Sequence, residues 1–285
     1  KFVIFFHLDL VGVASAAVML YFLEIRGVSV QNLRGVDFGD SPPWSKRRLA
    51  SRGRNPAIVL DFPYHPQAAW WFDHHPTTFG TGKWKERFRP DKAHVFDVSY
   101  KSCCHLVLDS LVKNFGFKPP AHFRGMVKWL DIVDMAGYRS ARQTIDKKEP
   151  ALQLGELVDS WRGKNSLQTK IVRWLSSRSI QNVLQEPMIK RILAKLRKHR
   201  LVLLRHYQQN LEIYDRLAFI DLTAQNGELR FAPFYLKPQL VYSVAIKKSV
   251  GGEFHITASV NPWRRSENKL HMGKLAQAFG GGGHR

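Results

Sequence analysis

The sequence predicts an α/β protein: an N-terminal parallel-sheet domain, a linker helix and a smaller C-terminal α+β domain. Three observations carry this. Apolar runs in the first half close on polar residues, as in "FVIFFHLDL", "AIVLD" and "AAWWFDHHP", and helices or loops separate them. A long helical pattern follows in "EPMIKRILAKLRKHRLVLLRHYQQNLEIYD". After it the texture turns to short strand-like runs with the turn signals "QNGE" and "SVGGE" between them. The boundaries read as 1–185 for the first domain, 186–214 for the linker helix and 215–285 for the second domain.

Element by element, "FVIFFHLDL" is a strand and "GVASAAVMLYFLEIRG" a helix ended by Gly27. The basic stretch "SPPWSKRRLASRGR" reads as a loop, before the strand "AIVLD". Helical spacing runs from Ser102 to Phe115 and from Phe123 to Met135. In the long helix, Met188, Ile192, Leu196 and Leu203 form an apolar stripe, and Lys190, Arg191, Lys195, Arg197, Lys198, Arg200 and Arg205 crowd the remaining surface. "RLAFIDL", "ELRFAPFYL", "LVYSVAIKK" and "EFHITASV" are expected strands.

The chain has 285 residues, 44% of them hydrophobic, which is ample for a core. Lys and Arg number 44 against 23 Asp and Glu, a formal charge of +21, so a polyanion is the expected partner. His7 and Asp9 interrupt the apolar start, leaving no run of the roughly 20 residues a membrane span needs. The only cysteines, Cys103 and Cys104, are adjacent and poorly placed for a structural disulfide, which favours a reducing, intracellular setting: the cytoplasm, or an organelle matrix. The chain starts on a lysine inside a strand-like run and stops at "GGGGHR", so further sequence, including a targeting segment, is expected to be possible at either end.

The polar strand ends collect His7 and Asp9, then Asp61, then Asp73, His74 and His75. In a parallel sheet such ends lie on one edge, so these imidazoles and carboxylates converge. A mixed Asp/His set suits Mn²⁺ better than an all-oxygen Ca²⁺ site or a thiolate zinc site. Asp131 and Asp134 in "KWLDIVDMAGYRS" add a fourth group, on a helix among apolar residues. Two ions sharing a carboxylate activate water near neutral pH and neutralise both oxygens of an in-line displacement at phosphorus. No serine–histidine–aspartate pattern or P-loop competes for the function.

The ordered set "HLDLVGVASA", "VLDFP", "FDHHP", "DIVDMAG" and terminal "GGGGHR" resembles the DHH phosphoesterase superfamily, which includes RecJ-type exonucleases, nano-RNases, cyclic-dinucleotide phosphodiesterases and family II pyrophosphatases. The resemblance implies an N-terminal DHH domain and a C-terminal DHH-associated domain. It implies a two-Mn²⁺ site held by His7, Asp9, Asp61, His74 and Asp134, with Asp61 bridging and catalytic, and Asp134 chosen over Asp131 because "VDMAGYRSA" matches the fourth motif. His75 would stabilise charge on the scissile phosphate, and Asp73 would orient a ligand histidine. One departure weakens the second ion: the usual H-x-D-x-D-G has become His7, Leu8, Asp9, Leu10, Val11, Gly12, and valine cannot bind a metal.

"KLAQAFGGGGHR" runs a helix into Gly280, Gly281, Gly282 and Gly283, followed by His284 and Arg285. Such a run is either a flexible linker or a backbone cradle for phosphate. The resemblance favours the cradle, binding the substrate end opposite the metals. Arg264, beside Trp263 and Arg265, is a further candidate for base and phosphate contact. Two functions follow. One is a Mn²⁺-dependent phosphoesterase or exonuclease hydrolysing phosphodiester bonds of short RNA or DNA, or a related nucleotide, in an interdomain cleft. The other is a catalytically impaired DHH-like protein serving as an RNA-binding or structural subunit of a ribonucleoprotein.

Overall fold

The computed structural model describes residues 1–285 except 39, 41, 50–54, 81, 162–164, 249–251 and 280–285. In chain order it contains β1 (Phe2–His7), α1 (Leu10–Glu24), β2 (Val30–Val36), β3 (Ala57–Leu60), β4 (Ala68–Asp73), α2 (Gly82–Arg87), β5 (His94–Phe96), α3 (Cys103–Phe115) and α4 (Ala121–Asp134). Four helices follow, α5 (Ala141–Asp146), α6 (Pro150–Asp159), α7 (Asn165–Ser177) and α8 (Ile180–Leu184), and then the long α9 (Pro187–Asn210). The rest is β6 (Glu212–Tyr214), β7 (Leu217–Asp221), α10 (Ala232–Leu236), β8 (Tyr242–Lys248), β9 (Phe254–Val260) and α11 (Met272–Ala278). The chain divides into a unit of Lys1–Met135 with Pro150–Ile189, and a unit of Ala136–Glu149 with Lys190–Arg285.

The first unit is built on a parallel sheet of order β2-β1-β3-β4-β5. Side chains alternate across it, as strand geometry requires. Val3, Phe5, Val59 and Trp71 face an aromatic core with Phe62, Tyr64 and Phe79. Ile4, Phe6, Ile58, Leu60 and Phe72 lie buried on the other face, where α1 packs on β1 and β3. Helix α1 is buried on nearly every side, which explains why its residues are apolar all round and show no amphipathic stripe.

The start of α1 is what shapes the sheet edge. Asp9 is its N-cap, with Oδ1 accepting from the Gly12 amide at 2.8 Å. Gly12 lies so close to β1 that a Cβ there would sit 2.3 Å from the His7 carbonyl oxygen. Only glycine lets the helix begin that near to the strand.

The second unit holds a sheet of order β6-β7-β8-β9, mixed in direction. Leu203 and Tyr207 of α9 pack on Ile220 and Ala245 of its buried face, and Ile145 of α5 joins them. One expectation fails here. "ELRFAPFYL" forms no strand but a turn and α10, because Pro233 sits in the first turn, where its missing amide costs nothing, and Phe234 is buried. Trp263 and Arg264 are also committed internally: Trp263 Nε1 donates to the Tyr138 carbonyl at 2.9 Å, and Arg264 donates to the Pro238 carbonyl at 2.8 Å and to Glu267 at 2.5 Å.

Candidate metal centre

The residues predicted to meet at the sheet edge do so. His7 ends β1, Asp61 follows β3, Asp73 ends β4 with His74 and His75 directly after it, and β1, β3 and β4 are adjacent strands. Asp134 closes α4 and brings its Oδ2 to 3.0 Å from His74 Nε2. Among the described residues three overlapping groups are spaced to share an ion: His7, Asp9 and Asp61; Asp61, His74 and His75; and Asp61, Asp73 and Cys103. Asp61 belongs to all three.

Asp61 is the most constrained of them. It is non-glycine at φ 57°, in the left-handed region, and 3% exposed. Both of its carboxylate oxygens are buried without a hydrogen-bond partner. Burial, and the nearby charges of Asp9 and Asp134, push its pKa well above the usual carboxylate range, against the pull of His75 and His7. Backbone strain and an unpaired buried carboxylate at one residue are costly and mark a site where something else is meant to bind.

The two outer histidines show the same need. His74 Nδ1 donates to the Tyr100 carbonyl at 3.0 Å, and its Nε2 faces the carboxylate of Asp134. Neither His74 Nε2 nor Asp134 Oδ2 has a hydrogen-bond partner. His7 Nδ1 is taken by Asp9 Oδ2 at 2.9 Å, and its Nε2 is buried and orphaned. Burial opposes charge on His7, but Asp9, with support from Asp37 and Asp61, raises its pKa up to about 11. Donors bound about 2.1 Å from one ion lie roughly 3 to 3.5 Å apart, so a cation fits these facing acceptors. The donor set is compatible with a borderline divalent ion.

Around these atoms, Asp73 holds the motif in place. Its Oδ1 accepts from the His74 amide at 2.7 Å and from His75 Nδ1 at 2.7 Å, and its Oδ2 accepts from the Thr78 hydroxyl. It therefore orients His75, while the ring of His74 is set by a backbone carbonyl. Burial opposes charge on His75 also, and the Asp73 bond overcomes it, raising the pKa to about 10. Asp131 is engaged elsewhere, accepting from Ser102 Oγ at 2.7 Å and from His105 Nδ1 at 2.9 Å. That leaves Asp134 as the carboxylate of α4 at the cluster. Cys103 and Cys104 are fully buried, and burial pushes both thiols up, away from nucleophilic use.

Two neighbours have no counterpart in the sequence reading. Asp37, just past β2, places Oδ1 3.7 Å from His7 Nε2. Phe38 packs edge-on against His7 at 5.5 Å while 72% exposed. The missed signal was β2 itself. "VQNLRGV" is an edge strand with polar residues exposed, so it lacks the apolar run that marked the other strands. Val11 is buried at 3% exposure in the first turn of α1. The glycine run Gly280 to Gly283, with His284 and Arg285, lies outside the described residues.

No protein-family model matches the chain, and no curated protein matches it. Among solved structures it is similar to a pGpG-specific phosphodiesterase, PggH from Vibrio cholerae, with a TM-score of 0.71 and 22% identity over 100% of this chain and 90% of that one. An uncharacterized protein from Helicobacter pylori G27 aligns over 100% of this chain and 91% of its own, at a TM-score of 0.42 and 14% identity. The exonuclease RecJ bound to manganese aligns over 86% of this chain and 75% of its own, at 0.45 and 12%. The likeness to that phosphodiesterase over the whole of this chain shows that the two share a fold.

Proposed function

We propose that the chain is a Mn²⁺-dependent phosphodiesterase that hydrolyses short oligonucleotides or a related nucleotide. The observation that carries this is Asp61: a strained, buried carboxylate with neither oxygen hydrogen-bonded, shared by three groups of metal-capable side chains among the described residues. His7, Asp9, Asp61, His74 and Asp134 would hold the metal, with Asp61 common to both positions. Bound divalent ions supply activated water and neutralise charge on the phosphoryl oxygens.

The rest is done by the chain's own residues. Tyr100 fixes the His74 ring through its carbonyl, and Asp9 fixes His7, so each presents Nε2 to the cluster. Asp73 clamps His75 beside Asp61, with Nδ1 of His75 3.9 Å from Asp61 Oδ1. In that position His75 would offset the negative charge that develops on the phosphate. The glycine run with His284 and Arg285 is proposed to grip the far end of the nucleotide through backbone amides. Arg264, bonded to Pro238 and Glu267, would be held in place for a contact with substrate phosphate.

A second reading, an RNA-binding protein without catalysis, is favoured by two observations. Val11 occupies a ligand position with a buried alkyl group, and Lys190, Arg191, Lys195, Arg197, Lys198 and Arg205 are exposed along α9. The two readings part on one assay. The full chain is expected to cleave a 5′-phosphorylated dinucleotide with Mn²⁺ and to stop when EDTA is added. No turnover on di- to pentanucleotides, together with single-stranded RNA binding that falls steeply with salt, would replace the enzyme with the binding protein.

A further inference from the structure

We infer that Asp37 supplies the carboxylate that position 11 lacks, as a ligand to the ion held by His7. This rests on the metal-dependent reading above and adds to it a ligand from a different strand. Strand β2 runs parallel to β1 with Val36 level with His7, so Asp37 emerges at the same sheet edge. Its Oδ1 stands 3.7 Å from His7 Nε2, beyond hydrogen-bond range but close to the separation of two donors on one ion. The Nε2 atom it faces is buried without a hydrogen-bond partner, since Nδ1 of that ring is bound to Asp9.

The same cluster contains Asp61, whose two oxygens are buried without a hydrogen-bond partner and within reach of His7 and Asp9. With Asp37 counted, His7 is surrounded by three carboxylates, Asp9, Asp37 and Asp61, the same number as if an aspartate stood at position 11. The ion would then keep its charge balance although the helix contributes only an alkyl group there.

Asp37 also has a local role that must be separated from ligation. Its Oδ1 accepts from the Phe38 amide at 2.8 Å, and its own amide donates to Asp40 Oδ2 at 3.2 Å. Asparagine preserves both of these bonds and removes only the charge. The test is therefore a Mn²⁺ titration of the full chain by calorimetry, for the wild type, Asp37→Asn, Asp40→Asn and the double variant Val11→Asp with Asp37→Asn. Asp37→Asn is expected to weaken one of the two Mn²⁺ sites at least about tenfold and leave the other unchanged, with the ion-free melting temperature kept. Asp40→Asn should leave both sites in place. The double variant should recover the weakened site, which a turn-making role for Asp37 would not allow. Two wild-type sites in Asp37→Asn would overturn this inference alone. A wild type that binds no Mn²⁺ would overturn the metal-dependent reading along with it.

Discussion

Asp61→Asn is expected to lower phosphodiester hydrolysis by roughly 10³-fold or more while leaving the chain folded. The loss is large because Asp61 is the one carboxylate common to all three metal-capable groups among the described residues, so neutralising it affects each of them at once. The fold should survive because asparagine tolerates the left-handed backbone that Asp61 adopts at φ 57° better than almost any other non-glycine residue. Without an ion, the variant should even melt at or above the wild-type temperature. It replaces a buried carboxyl group that has no hydrogen bond and whose charged form burial, Asp9 and Asp134 disfavour. Activity and melting curves on the same preparations check both halves. Full activity in Asp61→Asn would remove the mechanism, and an unfolded variant would show that the carboxylate is structural.

Gly12→Ala is expected to be the most destabilising small substitution in the first unit, by about 3 to 5 kcal/mol. The added Cβ would lie 2.3 Å from the His7 carbonyl oxygen and 2.8 Å from its nitrogen, both main-chain atoms that cannot swing aside. Helix α1 would have to move away from β1, taking the Asp9 cap with it and separating Asp9 from His7. The same substitution should therefore weaken Mn²⁺ binding even at temperatures where the chain is still folded. Denaturant unfolding measures the stability, and a change under about 1 kcal/mol would contradict the close approach described here.

What could be read from the sequence follows burial. β1, β3 and β4 are interior strands with continuous apolar runs, and a polar residue at the end of such a run is conspicuous, so His7, Asp61, Asp73, His74 and His75 could be found without coordinates. β2 and β5 are edge strands without such runs, and with β2 went Asp37. The partner of His74 was illegible for another reason: it is the carbonyl of Tyr100, and a backbone group leaves no trace in residue identity. "ELRFAPFYL" alternates enough to read as a strand, and the proline in it is equally at home starting a helix. The placement of Ala136–Glu149 with the second unit depends on contacts such as Ile145 with Leu203 and Tyr207, across distances in sequence that no local pattern encodes.

The measurement that tests the metal centre most directly is a Mn²⁺ titration of the purified, chelator-stripped full chain, read by ion content after dialysis and by thermal unfolding. The predicted result is two ions per chain and a folded state stabilised by about 2.7 kcal/mol for each site when free Mn²⁺ reaches a hundred times that site's dissociation constant. No retained Mn²⁺ at millimolar concentration and an unchanged unfolding transition would contradict the reading of Asp61, His7, His74 and Asp134 as a metal site.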